Sequence, residues 1–287
     1  FEDVVGQEVI VKTLTNAIKN DMVSHAYLFN GPRGTGKTSI AKIYAKILNC
    51  NNLDGVKACE KCDSCTQINN NQNIDVIEID AASNNGVDEI REIRNKIGLV
   101  PSNSKYKIYI IDEIHMLTNQ AFNALLKTLE EPPKHIIFIF ATTEPHKIPT
   151  TILSRCQRFD FKKIHDDKIV SRLKKIVEIE NINITDEALK EIAFLSDGGL
   201  RDSISLLDQA ISYSDEQIDV KDIHDINGSI TKNEVRELIN YLCNKNLEEC
   251  LKSVEQYDAT GKSMSKIVRS IIEELKNIIL YCNAPNF

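Results

Sequence analysis

A chain of 287 residues, 42% hydrophobic and 27% charged, has the composition of a soluble globular protein and is too long for a typical single α/β domain, so two or three domains are expected. No apolar run approaches the length of a membrane span, and a net charge of -7 argues against a protein that coats nucleic acid indiscriminately, leaving room only for a local basic track. Eight cysteines are many for a cytosolic chain, and the crowding of four of them between Cys50 and Cys65 points to metal rather than disulfides.

The chain starts at Phe1 with no methionine and no apolar leader, so the cytosol is the default compartment and a longer native chain is expected. A first helix is predicted through Ile10, Leu14, Ala17 and Ile18, whose spacing leaves one apolar face. Ala26-Tyr27-Leu28-Phe29 reads as a short buried strand, and Ser39 to Leu48 places Ile40, Ile43, Tyr44 and Ile47 at helical spacing. Between them lies Gly31-Pro32-Arg33-Gly34-Thr35-Gly36-Lys37-Thr38, a full G-x-x-x-x-G-K-[ST] motif in the strand-to-helix context it requires. Glycines let backbone N–H groups wrap a triphosphate, Lys37 supplies a cation to the outer phosphates, and the Thr38 hydroxyl can ligate magnesium. ATP and Mg2+ are therefore the expected ligands.

Cys50, Cys59, Cys62 and Cys65 follow in a hydrophilic insertion. Two C-x-x-C steps sharing Cys62, closed by Cys50, suit a tetrahedral zinc site with no open position, hence a structural one. An iron–sulfur cluster or free thiols are the rivals. Ile74 to Asp80 alternates like a strand with one covered face. The next helix carries Val87, Ile90, Ile93 and Ile97 beside Arg91, Arg94 and Lys96, either a phosphate contact or a capped surface helix with solvated charges.

Lys107 to Glu113 is an apolar run ending in two carboxylates, the form of a buried parallel strand with acids at its C-terminal edge. Paired with the phosphate loop, Asp112 is placed to hold the magnesium shell and Glu113 to orient the attacking water. His115 reads as structural. Thr118 is expected to cap a helix through Phe122, Leu125, Leu126 and Leu129, stopped at Glu130-Glu131-Pro132-Pro133. A buried strand from Ile136 to Ala141 then exits at Thr142-Thr143, which either meet a γ-phosphate or its attacking water or form an ordinary strand exit. Gln157 to Phe161 alternates like a last strand, after Ser154-Arg155-Cys156, with Cys156 read as a small core residue.

From about Asp166 the pattern is helical: Ile169 to Ile179, Thr185 to Leu195, Arg201 to Tyr213, a capping box at Thr231 and Glu234, then Leu247 to Tyr257 and Ser263 to Cys282. Gly198-Gly199 turns Arg201 to a helix start, where it is either functional or simply solvated. Cys243, Cys250 and Cys282 sit at apolar positions and call for no function.

Val5-Gly6-Gln7, the Gly31–Thr38 loop, the four-cysteine insertion, Asp112-Glu113-Ile114-His115, Leu126 to Pro133, Ala141-Thr142-Thr143 and Ser154-Arg155-Cys156 together resemble the ATPase subunits of bacterial clamp loaders, the gamma/tau family of DNA polymerase III within the AAA+ superfamily. The Tyr-Arg-Pro-type lead-in usual in that family is absent, so adenine contacts go unassigned. The resemblance implies an α/β AAA+ domain over residues 1–165 with its zinc module at 50–65, a helical lid over 166–226 and a helical collar over 227–287 that continues beyond this chain. It further implies that Thr142 or Thr143 senses nucleotide, that Arg201 does so from its own chain, and that Arg155 reaches the γ-phosphate of a neighbour. Partners implied are further gamma/tau copies, delta and delta-prime in a hetero-oligomeric ring, a sliding clamp and primed DNA. Delta-prime relatives carry a degraded ATP site, whereas Lys37, Thr38, Asp112 and Glu113 are all present here. A branch-migration helicase motor and a zinc-containing scaffold with a merely structural ATP site are the alternatives.

Overall fold

The computed structural model describes residues 1, 3–213 and 216–283, apart from the side chains of residues 88–89 and 94–96. It divides into two compact units, one of residues 1–168 with 198–201, the other of residues 169–197 with 202–287.

The first unit holds five strands, β1 Ala26–Asn30, β2 Val76–Asp80, β3 Lys107–Asp112, β4 Ile136–Thr142 and β5 Gln157–Asp160. They form one sheet in the order β2-β3-β4-β1-β5, every pair parallel. Its helices are α1 Glu8–Lys19, α2 Lys37–Leu48, α3 Asp63–Asn69, α4 Val87–Ile97, α5 Asn119–Glu130 and α6 Thr150–Leu153. Because side chains alternate along a strand, the inner strands feed two cores, whereas the edge strand β5 supplies Phe159 to one of them. Ala26, Leu28, Tyr109, Ile111, Phe138 and Phe140 pack with Ile90 and Ile93 of α4 and Phe122, Leu125 and Leu129 of α5. Tyr27, Phe29, Ile108, Ile110, Ile137 and Ile139 pack with Ile10 and Leu14 of α1 and Ile40, Tyr44 and Leu48 of α2. β4 is buried along its whole length, as a central parallel strand covered on both faces requires. The Tyr27 and Tyr44 hydroxyls share a buried 2.9 Å hydrogen bond, and burial pushes both phenols up.

Register brings the strand ends into one row. Asn30 lies opposite Thr142 and Asp160, and Asp80 opposite Asp112. Loops leaving this carboxyl edge are thereby gathered over one crevice, the usual ligand position in an open parallel sheet.

β2 starts two residues later than its alternation predicts. Ile74 is exposed, while Asp75 is buried and accepts from the backbone N–H groups of Ser102 and Asn103. A carboxylate supplied with its own donors can occupy a position that periodicity alone assigns to solvent. Of the basic residues expected on α4, Arg91 is exposed, and the side chains of Arg94 and Lys96 lie outside the described residues.

The second unit contains most of α7 Asp166–Glu180 and α9 Leu200–Tyr213, all of α8 Asp186–Leu195, and α10 Val220–Asn227, α11 Lys232–Cys243, α12 Leu247–Ala259 and α13 Met264–Asn283. Thr231 and Glu234 form the expected capping box. α10 was not foreseen; its own capping box pairs Asp219 with Asp222, an aspartate where the usual signature has glutamate or glutamine. The helical reading also omitted the parallel bridge between Ile184 and Ile218. Cys243 and Cys282 are exposed rather than set in a core, since each falls on an outward face of its helix, whereas Cys250 packs beside Val235, Leu238 and Tyr257.

Candidate nucleotide site and cysteine centre

The phosphate loop leaves the carboxyl end of β1, and Gly31 N–H donates to Thr142 O at 3.2 Å, fixing the loop against β4. Gly31 is obligatory, since a Cβ there would lie 2.5 Å from Phe161 O. Gly36 caps α2 in the left-handed region at φ 94, turning the first free N–H groups of the helix toward the loop's concavity. Thr35 is buried and its hydroxyl donates to Pro32 O at 2.8 Å. Lys37 is 6% exposed, and its Nζ donates to Gly31 O and Pro32 O at 2.8 and 2.9 Å. Burial pulls its pKa down, and the nearby charges of Glu113 and Asp112 oppose that shift.

The second half of the site comes from β3. Thr38 Oγ1 donates to Asp112 Oδ2 at 2.6 Å, joining loop and strand across 74 residues of sequence. Glu113 follows at φ 45, a left-handed geometry rare for glutamate, and its N–H donates to Asp112 Oδ1 at 2.9 Å. Glu113 Oε2 accepts from Thr143 N and Thr143 Oγ1 at 3.3 and 3.2 Å. Thr142 is fully buried, and its Oγ1 lies 3.0 Å from His115 Nδ1. The structure thus brings Lys37, Thr38, Asp112, Glu113, Thr142 and Thr143 to one edge.

Gln7, quoted in the sequence without a role, is buried behind the loop. Its amide donates to Lys162 O at 2.8 Å, reaches Thr35 O at 3.5 Å and accepts from Lys162 N at 3.3 Å. Leu200 N–H donates to Gly34 O at 3.0 Å, which brings the start of α9 against the phosphate loop and sets the exposed Arg201 next to it. Gly198 makes that approach possible, because a Cβ there would lie 2.7 Å from Lys163 Cβ. Arg155 stands apart. Its guanidinium donates to Thr151 O at 2.6 Å and Glu130 Oε1 at 2.7 Å, and none of its hydrogen-bond partners belongs to the phosphate loop or to the Asp112–Glu113 pair. Cys156 packs against the α5-side core, where burial pushes its thiol up to about 12.

The cysteine centre is closed locally. The sulfurs of Cys50, Cys59, Cys62 and Cys65 lie within 4.8 Å of one another. Successive backbone N–H groups point at them: Cys59 N to Cys50 Sγ and Cys62 N to Cys59 Sγ, both 3.3 Å, and Cys65 N to Cys62 Sγ at 3.5 Å. Donation from Lys61 and Cys62 N–H groups brings the Cys59 thiol down to about 6, whereas burial pushes Cys65 up. A four-thiolate donor set fits a soft or borderline metal in tetrahedral coordination. The insertion is anchored to α2 by Lys46, which pairs with Glu60 at 2.6 Å and donates to Asn69 at 2.9 Å.

The parallel sheet, the strand-to-helix phosphate loop and the acid pair on the neighbouring strand end define a P-loop nucleotide-binding fold of the AAA+ class. Solved structures agree on the fold. The Thermotoga maritima RuvB Holliday junction branch migration motor superposes with a TM-score of 0.57 at 17% identity, over 92% of this chain and 87% of that one, and a second RuvB structure from that organism gives 0.59. A family model described as DNA polymerase III, delta subunit, matches residues 6–165, and one described as the DNA polymerase III clamp loader subunit ATPase lid domain matches residues 168–216. Similarity to curated proteins is higher: 53% identity to the Bacillus subtilis DNA polymerase III subunit tau over 99% of this chain and 51% of that protein. Identity is 38% to the Escherichia coli subunit tau, over 99% and 44%, and 40% to the Buchnera aphidicola subunit gamma, over 100% and 77%. The chain belongs to the gamma/tau family of DNA polymerase III subunits. It spans about half the length of the tau relatives, 51% and 44% of the two just named.

Proposed function

We infer that this chain is the ATP-hydrolysing subunit of a bacterial replicative clamp loader within the DNA polymerase III holoenzyme. The observation that carries the reading is the 2.6 Å bond from Thr38 to Asp112, which sets the phosphate loop and the acid pair at one strand edge. On this reading Gly31, Pro32, Arg33, Gly34, Thr35 and Gly36 wrap the phosphates with backbone N–H groups, and Lys37 exchanges its two loop carbonyls for phosphate oxygens. Thr38 and Asp112 supply hard oxygen ligands suited to magnesium, which when bound neutralises charge on the phosphates. Glu113 orients water, Thr142 or Thr143 senses the γ-phosphate, and Arg201 reads nucleotide on its own chain. Arg155, held at the surface by Glu130, acts on the site of a neighbouring subunit, so that turnover depends on assembly. Zinc is the metal proposed for Cys50, Cys59, Cys62 and Cys65, as a structural centre.

The division into an ATPase domain at 1–165, a lid at 166–226 and a collar at 227–287 is part of this proposal, as are delta, delta-prime, further gamma/tau copies, sliding clamp and primed DNA as partners. A cytoplasmic site of action is proposed with them; no described helix is long and apolar enough to cross a membrane. The test is steady-state ATP hydrolysis across chain concentration, alone and with delta, delta-prime, clamp and primed DNA. Weak activity alone that rises steeply with assembly and DNA supports the reading. A rate per chain indifferent to concentration and to every partner overturns it.

A further inference from the structure

The geometry points to His115 as a positioning residue that couples Thr142 to the carboxylate of Glu113, an inference that rests on the hydrolytic reading of this site. His115 occupies the short turn of residues 114–116 directly after Glu113, and its side chain is 7% exposed. Its Nδ1 lies 3.0 Å from Thr142 Oγ1 and 3.2 Å from Glu113 Oε2, while Nε2 lies 3.4 Å from Glu144 Oε1. Ionised carboxylates only accept, so each contact with an acid is satisfied only when the facing ring nitrogen carries a hydrogen.

Thr142 Oγ1 already accepts from Glu144 N at 3.0 Å, which leaves its own hydrogen to be given away. Two arrangements follow. In one, Nδ1 bears no hydrogen, Thr142 donates to it, and Glu113 loses its histidine contact. In the other, the ring hydrogen sits on Nδ1 instead of Nε2, so Nδ1–H donates to Glu113, Nε2 gives up its contact with Glu144, and the Thr142 hydrogen goes elsewhere. A phosphate oxygen that takes the Thr142 hydrogen therefore favours the second arrangement. In that state Glu113 Oε2 is held by His115, Thr143 N and Thr143 Oγ1 together, and Oε1, which has no hydrogen-bond partner among the described residues, is left for water. The occupancy of Thr142 is thus written onto the orientation of the water-activating carboxylate. The charged groups around the ring are Glu113 on its own turn and Glu144 from the loop after β4, the latter backed by Lys147 at 2.8 Å and His146 at 3.6 Å.

The test compares His115→Ala, His115→Asn and His115→Gln in the full-length chain assembled with its loader partners, reading nucleotide affinity, kcat and KM. An asparagine amide nitrogen can take the place of Nδ1, whereas a glutamine amide reaches the place of Nε2. His115→Ala and His115→Gln should lose about ten- to hundredfold in kcat, with nucleotide affinity changed by less than about threefold. His115→Asn should recover most of that loss. Wild-type kcat in His115→Ala, or equal impairment of the asparagine and glutamine variants, overturns the inference while ATP turnover by the wild type stands. A wild-type assembly that binds ATP and never hydrolyses it overturns the hydrolytic reading itself, and this inference with it.

Discussion

The nucleotide edge and the cysteine centre solve the same problem, convergence of polar side chains, by opposite routes. The cysteine centre draws all four sulfurs from residues 50–65, and its internal hydrogen bonds span three to nine positions. The nucleotide edge draws Thr38 from the start of α2 and Asp112 and Thr142 from the ends of β3 and β4, and only the packing of a parallel sheet in register brings them together. With the proposed metal bound, a local cluster would owe its order to that ion and could be lost without the sheet. An edge assembled from β1, β3 and β4 is as stable as the two cores beneath it.

The largest effect expected from this contrast is on the cysteine centre. Cys59→Ser, or chelation, should remove bound metal and melt residues 50–69 in hydrogen exchange, a loss on the order of 10 kcal/mol of local folding energy. Nucleotide affinity should change by less than about threefold, because the phosphate loop draws nothing from the insertion. Loss of both together would break the comparison. Next comes Arg155→Ala in the proposed assembly, where hydrolysis should fall by about a thousandfold with binding retained if its guanidinium acts, as proposed, on a neighbour's transition state. Its bond to Glu130 is partly exposed and worth about 1 kcal/mol or less, so stability should barely move. Lys37→Ala should weaken ATP binding by about a hundredfold, measured by equilibrium titration with a fluorescent nucleotide; unchanged affinity would remove the phosphate-loop assignment.

The smallest effect sharpens the point in the second unit. There His224 is buried with Nδ1 2.7 Å from Ser229 Oγ and Nε2 3.4 Å from Glu191, another polar cluster assembled across helices. Burial lowers the His224 pKa, opposed by Glu191, so the unfolded chain takes up the proton first as pH falls. Stability should be full above about pH 6.5 and decline below it, by at most about 1.4 kcal/mol per pH unit, until His224 itself protonates. His224→Gln should flatten that slope in urea titrations; an unchanged slope would show that other groups set it.

The two regions also differ in how far they could be read in advance. The Gly31–Thr38 loop, the Cys50–Cys65 cluster, the cap at Thr118 and the box at Thr231 are contiguous signals, and each lies in the structure where its spacing placed it. Asp75 and Gln7 were misjudged or passed over for one reason. Each is a buried polar residue whose partners are supplied by segments distant in sequence: Ser102 for Asp75 and Lys162 for Gln7. Periodicity scores such residues as surface, because it cannot see a donor that arrives from another element.

The sequence by itself determined the element types, the identity of the phosphate loop, the acid pair and the four thiols, because helical and strand periods, glycine requirements and thiol spacing act within a few residues. Only the tertiary structure decided that Thr38 meets Asp112, that Thr143 holds Glu113, that His115 lies against Thr142, and that Gln7 ties the loop to the exit of β5. Those contacts depend on strand order and register, which are set by how two apolar faces are buried at once.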